Sequence, residues 1–212
     1  ITQNSLSSTS KSLGKSLEKL STGLRINRSS DDAAGLSVSE QLRSQVRGLG
    51  RARSNAQDGI ALLQIAEGAA NETSDILQRM RELAVQSAND TLTSTDRSYI
   101  DQEFTALTDE IDRIATSAQY NGQQLVTGGS NSFGGVGSGA SIVHIGANDV
   151  AGTDSLTLEI DGITAGAIGL TGGATNVGVS TQASSLAAIG TIDTAITSVN
   201  NMRSDVGAYV NR

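Results

Sequence analysis

DGIALLQIAEGAANETSDILQRMRELAVQSAN, from Asp58 to Asn89, carries the helical apolar period around which the rest of the chain is arranged. Leu62, Ile65, Ala69, Ile76, Met80 and Leu83 follow one another in steps of three and four once Thr73 is counted as the single interruption, which keeps them on one side of a 3.6-residue helix. Gln78, Arg79, Arg81, Glu82 and Gln86 fall on the other sides. A helix that is apolar on one side must be covered there, so the run predicts bundle partners elsewhere in the chain.

Upstream, Leu36, Val38, Leu42, Val46 and Leu49 carry the helical signal back to Asp32. Ser29, Ser30 and Asp31 are candidate N-caps, and the acids Asp31 and Asp32 suit a positive helix start. Gly48, Gly50, Gly59 and Gly68 are weak points, each costing about 1 kcal/mol relative to Ala. Unbroken from Asp32 to Asn89, such a helix is about 87 Å long, whereas a compact chain of this size has a radius of gyration of about 17 Å. An elongated molecule is therefore expected. Nearer the N-terminus, Leu6, Leu13, Leu17, Leu20 and Leu24 form a thin stripe among Ser, Thr and Lys. That helix is marginal alone and would order on a partner helix, of this chain or of another subunit.

Downstream, Asn89 to Ser94 reads as a polar turn, and Thr93 to Asp96 offers caps for a second helix. Its residues Ile100, Phe104, Leu107, Ile111, Ile114 and Ala118 make a heptad seam, antiparallel to its predecessor because the turn is short. Asn121-Gly122 ends that helix and starts a turn into a short strand over Gln123 to Thr127. From Gly128 to Ser184 the chain becomes rich in Gly, Ser and Thr, with SIVHIG and SLTLEIDG alternating as strands. A last seam, Leu186, Ile189, Ile192, Ile196, Val199, Met202, Val206 and Tyr209, runs to Arg212 and stops in mid-pattern, which suggests residues missing downstream. The predicted class is mainly α: an elongated antiparallel helical bundle or coiled-coil rod with a small β-hairpin region.

Composition narrows the function. The 212 residues include no Pro, Cys or Trp, two Phe, three Tyr and one His, so buried area must come from long aliphatic seams. Without Cys there are no disulfides, thiolate metal sites or Cys nucleophiles. Without Pro no X-Pro isomerisation delays folding, which suits a chain moved unfolded. No apolar run is long enough to span a membrane, and the formal charge of -7 argues against nucleic acid as main partner. His144 alternates within a strand and, with no second His or Cys to join it, reads as structural. The acids Asp101, Glu103, Asp109, Glu110 and Asp112 share one helix and read as a solvated face. No phosphate-cradling GxxxxGK[ST] occurs, so no cofactor is expected. Arg43, Arg47, Arg51 and Arg53, lacking interleaved aromatics, read as an inter-subunit salt-bridge surface.

LSTGLRINRSSDDAAGLSVSEQLRSQVRGL, NAQDGIALLQIAEGA, ILQRMRELAVQSAN, EFTALTDEIDRIATSAQYNGQQL and MRSDVGAYVNR together resemble the bacterial flagellins over about two thirds of the chain. The resemblance implies a structural subunit of the extracellular flagellar filament, self-assembling for motility, with other copies as partners. It further implies type III export, a secretion chaperone and a cap. In its terms residues 1–28 are part of an inner-core helix and linker, 29–127 the two long helices of the rod, 128–184 its β-rich part and 185–212 its C-terminal helix. Flagellins of this type are recognised by Toll-like receptor 5 through a face centred on QRMRELAV. That carries over as Arg79, Leu83 and Glu103, flanked by Gln78, Glu82 and Gln86, with Leu83 expected at the edge of the seam. The alternatives are a hook–filament junction protein, which shares such terminal seams, or a coiled-coil adaptor. A metalloprotease insert of the HExxH kind cannot be written with one His.

Overall fold

A computed structural model describes residues 2–128, 133, 141–150, 152–171 and 177–212. Its elements are α1 (Thr2–Thr22), α2 (Ala33–Ser87), α3 (Ser94–Ser117), β1 (Gln119–Tyr120), β2 (Gln123–Gln124), β3 (Ser141–His144), β4 (Ser155–Leu158) and α4 (Gln182–Asn211). At 55 residues α2 is about 82 Å long, and α3 and α4 pack along its C-terminal two thirds. The molecule is the elongated, mainly helical rod that the sequence predicts.

The helix starts are set by side-chain caps. Asp32, one residue beyond the expected caps, accepts from the Gly35 amide at 2.8 Å, because its extended backbone aims the carboxylate back at the first turn. Thr93 and Asp96 form a reciprocal capping box at α3, and Thr181 and Ser184 do the same at α4, which begins at Gln182 rather than Ser185. Between α2 and α3, Arg97 donates to the Ser87 and Asn89 carbonyls, both at 3.0 Å, and so satisfies acceptors left open at the end of α2. None of the four glycines breaks α2. Gly48 and Gly59 instead let the β3–β4 hairpin close on the helix: a Cβ on Gly48 would lie 3.1 Å from the Ala147 Cβ, and one on Gly59 3.6 Å from Val143.

The buried side of α2 is broader than the predicted stripe. It runs through Leu62, Leu63, Ala66, Ala69, Ala70, Thr73, Ser74, Leu77, Met80, Leu83, Ala84 and Ser87, because two helices cover it. Ile65, expected in the seam, is exposed. Thr73 is no interruption: it is fully buried, and its hydroxyl donates to the Ala69 carbonyl at 2.9 Å, leaving its methyl to pack. In α4, Leu186 is likewise exposed, while Ser185, Ala188 and Ala195 join Ile192, Val199, Met202 and Val206 in the core.

Between α3 and α4 the chain holds less strand than expected. Asn121 (φ 50) and Gly122 (φ 78) make the tight turn between β1 and β2, with Tyr120 opposite Gln123. The strands β3 and β4 pair antiparallel over four residues each, Ser141 opposite Leu158. Beyond β4 an irregular strap takes over: Ile160, Ile163, Ala165, Ile168, Leu170 and Val179 are buried without regular structure. The strap is tied to α3 by carboxylates, the Ala165 amide donating to Asp112 at 2.8 Å and the Val179 amide to Asp101 at 2.7 Å. Those two acids are thus half-buried clasps rather than part of a solvated face. The Ser87 hydroxyl completes the closure by donating to the Val179 carbonyl at 2.6 Å.

Two regions keep their apolar stripes uncovered. No residue of α1 is buried, although it is helical throughout; Lys15–Asp31 (3.3 Å) and Arg28–Glu18 (2.9 Å) hold the linker back along it. Val38, Leu42, Val46 and Leu49, in the first third of α2, are more than half exposed.

Candidate recognition surface

The polar side of α2 opposite its seam presents Gln78, Arg79, Glu82 and Gln86 to solvent, and α3 brings Glu103 alongside. The antiparallel turn at 88–93 makes that juxtaposition possible, since it returns the chain along α2 after a few residues. Arg79 is held from two directions. Its Nε and one terminal nitrogen donate to the same Glu103 oxygen at 3.1 and 2.8 Å, and its other terminal nitrogen donates to Glu82 at 3.1 Å. The hydrogen bonds to Glu103 and then Glu82 raise the Arg79 pKa further above its already high value, so the guanidinium is charged and oriented at any working pH. Three of its five N–H groups are occupied, and the planar fork is pre-organised for a further acceptor.

Leu83 is placed differently from expectation. It is 1% exposed and belongs to the core, not to the edge of the seam, because α3 and α4 widen the covered side of α2. Its contribution to this surface is to fix the helix beneath Arg79 and Glu82. The exposed apolar side chain is Val85, which with Gln78, Arg81, Glu82 and Gln86 lines a shallow depression. Arg81 leans to the other side and donates to Asp193 of α4 at 2.7 Å. The two arginines thus clamp α2 to both neighbours. Sequence periodicity marks Arg81 as polar, but nothing in it signals a partner 112 residues away.

His144 is exposed on β3, and its carbonyl accepts from Asn55 at 3.0 Å, which ties the hairpin to α2. Among the described residues no three His, Cys, Asp or Glu come together in a way that could hold a metal, and no helix is long and apolar enough to cross a membrane. An apolar slot of about 130 Å³ opens between the hairpin, the middle of α2 and the end of α4, lined by Ile60, Val143, Ile145, Leu156 and Tyr209 among others.

The sequence model of the bacterial flagellin N-terminal helical region matches residues 1–131. A flagellar filament 33 kDa core protein of Treponema phagedenis is 45% identical over 99% of this chain and 74% of its own length. The crystal structure of Bacillus cereus flagellin, 31% identical, superposes with a TM-score of 0.60 over 74% of this chain and 82% of that one. The structure of a putative flagellar hook-associated protein from Vibrio parahaemolyticus gives a TM-score of 0.64 over 87% of this chain and 90% of that one; at 21% identity it is alike in fold alone. These relatives are structural proteins, not enzymes. With identity this high across nearly every residue and with the same helical rod, the chain belongs to the bacterial flagellin family.

Proposed function

We propose that this chain is a self-assembling structural subunit of the flagellar filament, working outside the cell in motility after unfolded export through the flagellar type III channel. Other copies are its lasting partners; a secretion chaperone and the filament cap meet it on the way. The observation that carries the reading is the 45% identity to a filament core protein over 99% of the chain. The uncovered stripes on α1 and the first third of α2 support it, since exposed apolar surface of that extent is what assembly would bury. Immunogold electron microscopy of flagellated cells with antibody to this chain is the test. Label along the filament shaft is expected. Label confined to the junction between hook and filament would overturn the reading in favour of a junction protein.

On the same rod, we infer that the face bearing Gln78, Arg79, Glu82, Gln86 and Glu103 is recognised by the ectodomain of Toll-like receptor 5, with Leu83 supporting it from below. The support is geometric: a rigid helix pair holds an oriented guanidinium with two donors to spare, beside an exposed Val85. Arg79→Ala is expected to weaken receptor binding at least tenfold, roughly the loss for an interface anchor, with helical content unchanged. Arg203→Ala, in α4 and away from the face, should leave binding within about twofold. Surface plasmon resonance decides, and equal affinities for both variants would remove the site.

A further inference from the structure

The rod is electrically polarised. Residues 1–57 carry nine Lys and Arg against four Asp and Glu, and residues 58–212 carry six against eighteen, so a net charge of +5 faces one of -12. The structure spreads this along one axis, because the first third of α2 extends beyond the end of α4, with the hairpin reaching back only as far as Gly48. On that extension Arg43, Arg47 and Arg51 recur every four residues and share a side of the helix, all exposed. Arg43 pairs with Glu40 within its own helix, while Arg47 and Arg51 make no ion pair among the described residues. Further along the same helix Glu67 and Asp75, eight residues apart and both exposed, likewise make no ion pair among the described residues.

The two strips match in spacing. Arg43 to Arg51 is eight residues, as is Glu67 to Asp75; Arg43 and Arg51 each lie 24 positions before an acid, and Arg47 lies 24 before Asn71. We propose that the Arg43–Arg51 strip of one copy binds the Glu67–Asp75 strip of a second, parallel copy slid along the rod by about 36 Å. The proposal rests on the filament-subunit reading and names the contact within it. A helix turns about 100° per residue, so 24 residues separate the two strips by about 120° around the rod. Each copy therefore offers its basic strip to one neighbour and its acidic strip to another on a different side. Such a heterologous contact does not close into a two-fold dimer; it propagates.

Charge exchange tests this directly. Arg43→Glu/Arg47→Glu/Arg51→Glu forms one variant and Glu67→Lys/Asp75→Lys a second; circular dichroism should show both folded, since all five residues are exposed. Sedimentation velocity over a concentration series is the readout. Wild type should self-associate, and more weakly as ionic strength rises from about 0.05 to about 0.5 M, since screening shortens the reach of exposed charges. Each variant alone should associate about tenfold or more weakly, because attraction becomes like-charge repulsion. An equimolar mixture should recover association, each variant supplying the strip that the other has inverted. Variants that associate as wild type does, or a mixture that does not recover, would overturn the contact while leaving self-assembly intact. A wild type that stays monomeric throughout would overturn self-assembly of this chain and the contact with it.

Discussion

Leu83→Ala separates support from contact. The side chain is 1% exposed, and the buried residues of α2 within a turn of it are Met80, Ala84 and Ser87. Ala84 and Ser87 are too short to close a cavity and Met80 can fill only part of it, so the loss combines the transfer of the removed carbons with a void that stays partly open. Leu→Ala substitutions in cores cost about 2–5 kcal/mol, and partial filling of the space by the flexible Met80 argues for the middle of that range, about 3 kcal/mol. With a urea m-value of about 3 kcal/mol/M, the unfolding midpoint should fall by about 1 M, read by far-ultraviolet circular dichroism. Leu83→Met, which nearly conserves volume, should cost less than about 1.5 kcal/mol. A total stability of about 5–15 kcal/mol keeps the Ala variant folded without denaturant, so receptor affinity can be measured on the same preparation. Arg79→Ala gives the opposite pattern, with an almost unchanged midpoint and weakened binding, because its ion pairs are half exposed. A Leu83→Ala midpoint within about 0.2 M of wild type would refute the placement of Leu83 in the seam and, with it, the division of labour across this face.

Asp32→Ala removes the acceptor of the Gly35 amide and should cost about 1 kcal/mol, visible as faster hydrogen exchange confined to the first turn of α2. Gly162→Ala would place a Cβ 2.7 Å from the Gly128 Cα and 2.9 Å from its nitrogen, backbone that cannot swing away, so a cost of about 1–3 kcal/mol in chemical denaturation is expected. Asp96 has its pKa lowered by hydrogen bonds from the Thr93 hydroxyl and amide, so its cap contributes fully above the unfolded value and is lost as pH falls through the lower folded one. Acid titration of Asp96→Asn should therefore converge with wild type only below about pH 4, the ordinary aspartate value, and a gap unchanged down to strong acid would count against the capping box.

What the sequence shows plainly is whatever repeats or sits next to its partner. Helix period, capping residues and the Asn121-Gly122 turn are local, and each is in the structure within a few residues of its expected place. The errors share a different cause. A single stripe is the right template for a helix with one neighbour, but α2 has two, so its buried side widened to include Leu63, Leu77 and Thr73 while Ile65 was left outside. Leu83 moved from edge to interior for the same reason. The buried residues from Ile160 to Leu170, with Val179, show the other blind spot, because coil buries residues with no period for a pattern to detect. Their anchors, Asp101 and Asp112, look like surface acids until the amides of Val179 and Ala165 arrive from 78 and 53 residues away. The polar side of the rod behaves likewise: Arg79 and Glu103 are candidates only through the family resemblance, and the ion pair that joins them, like that of Arg81 with Asp193, takes form only when the helices pack. A rod makes this separation sharp. Along its axis the chain's own order persists, so the charge polarity of α2 can be read residue by residue; across the axis every contact joins distant segments and appears only once the helices are packed.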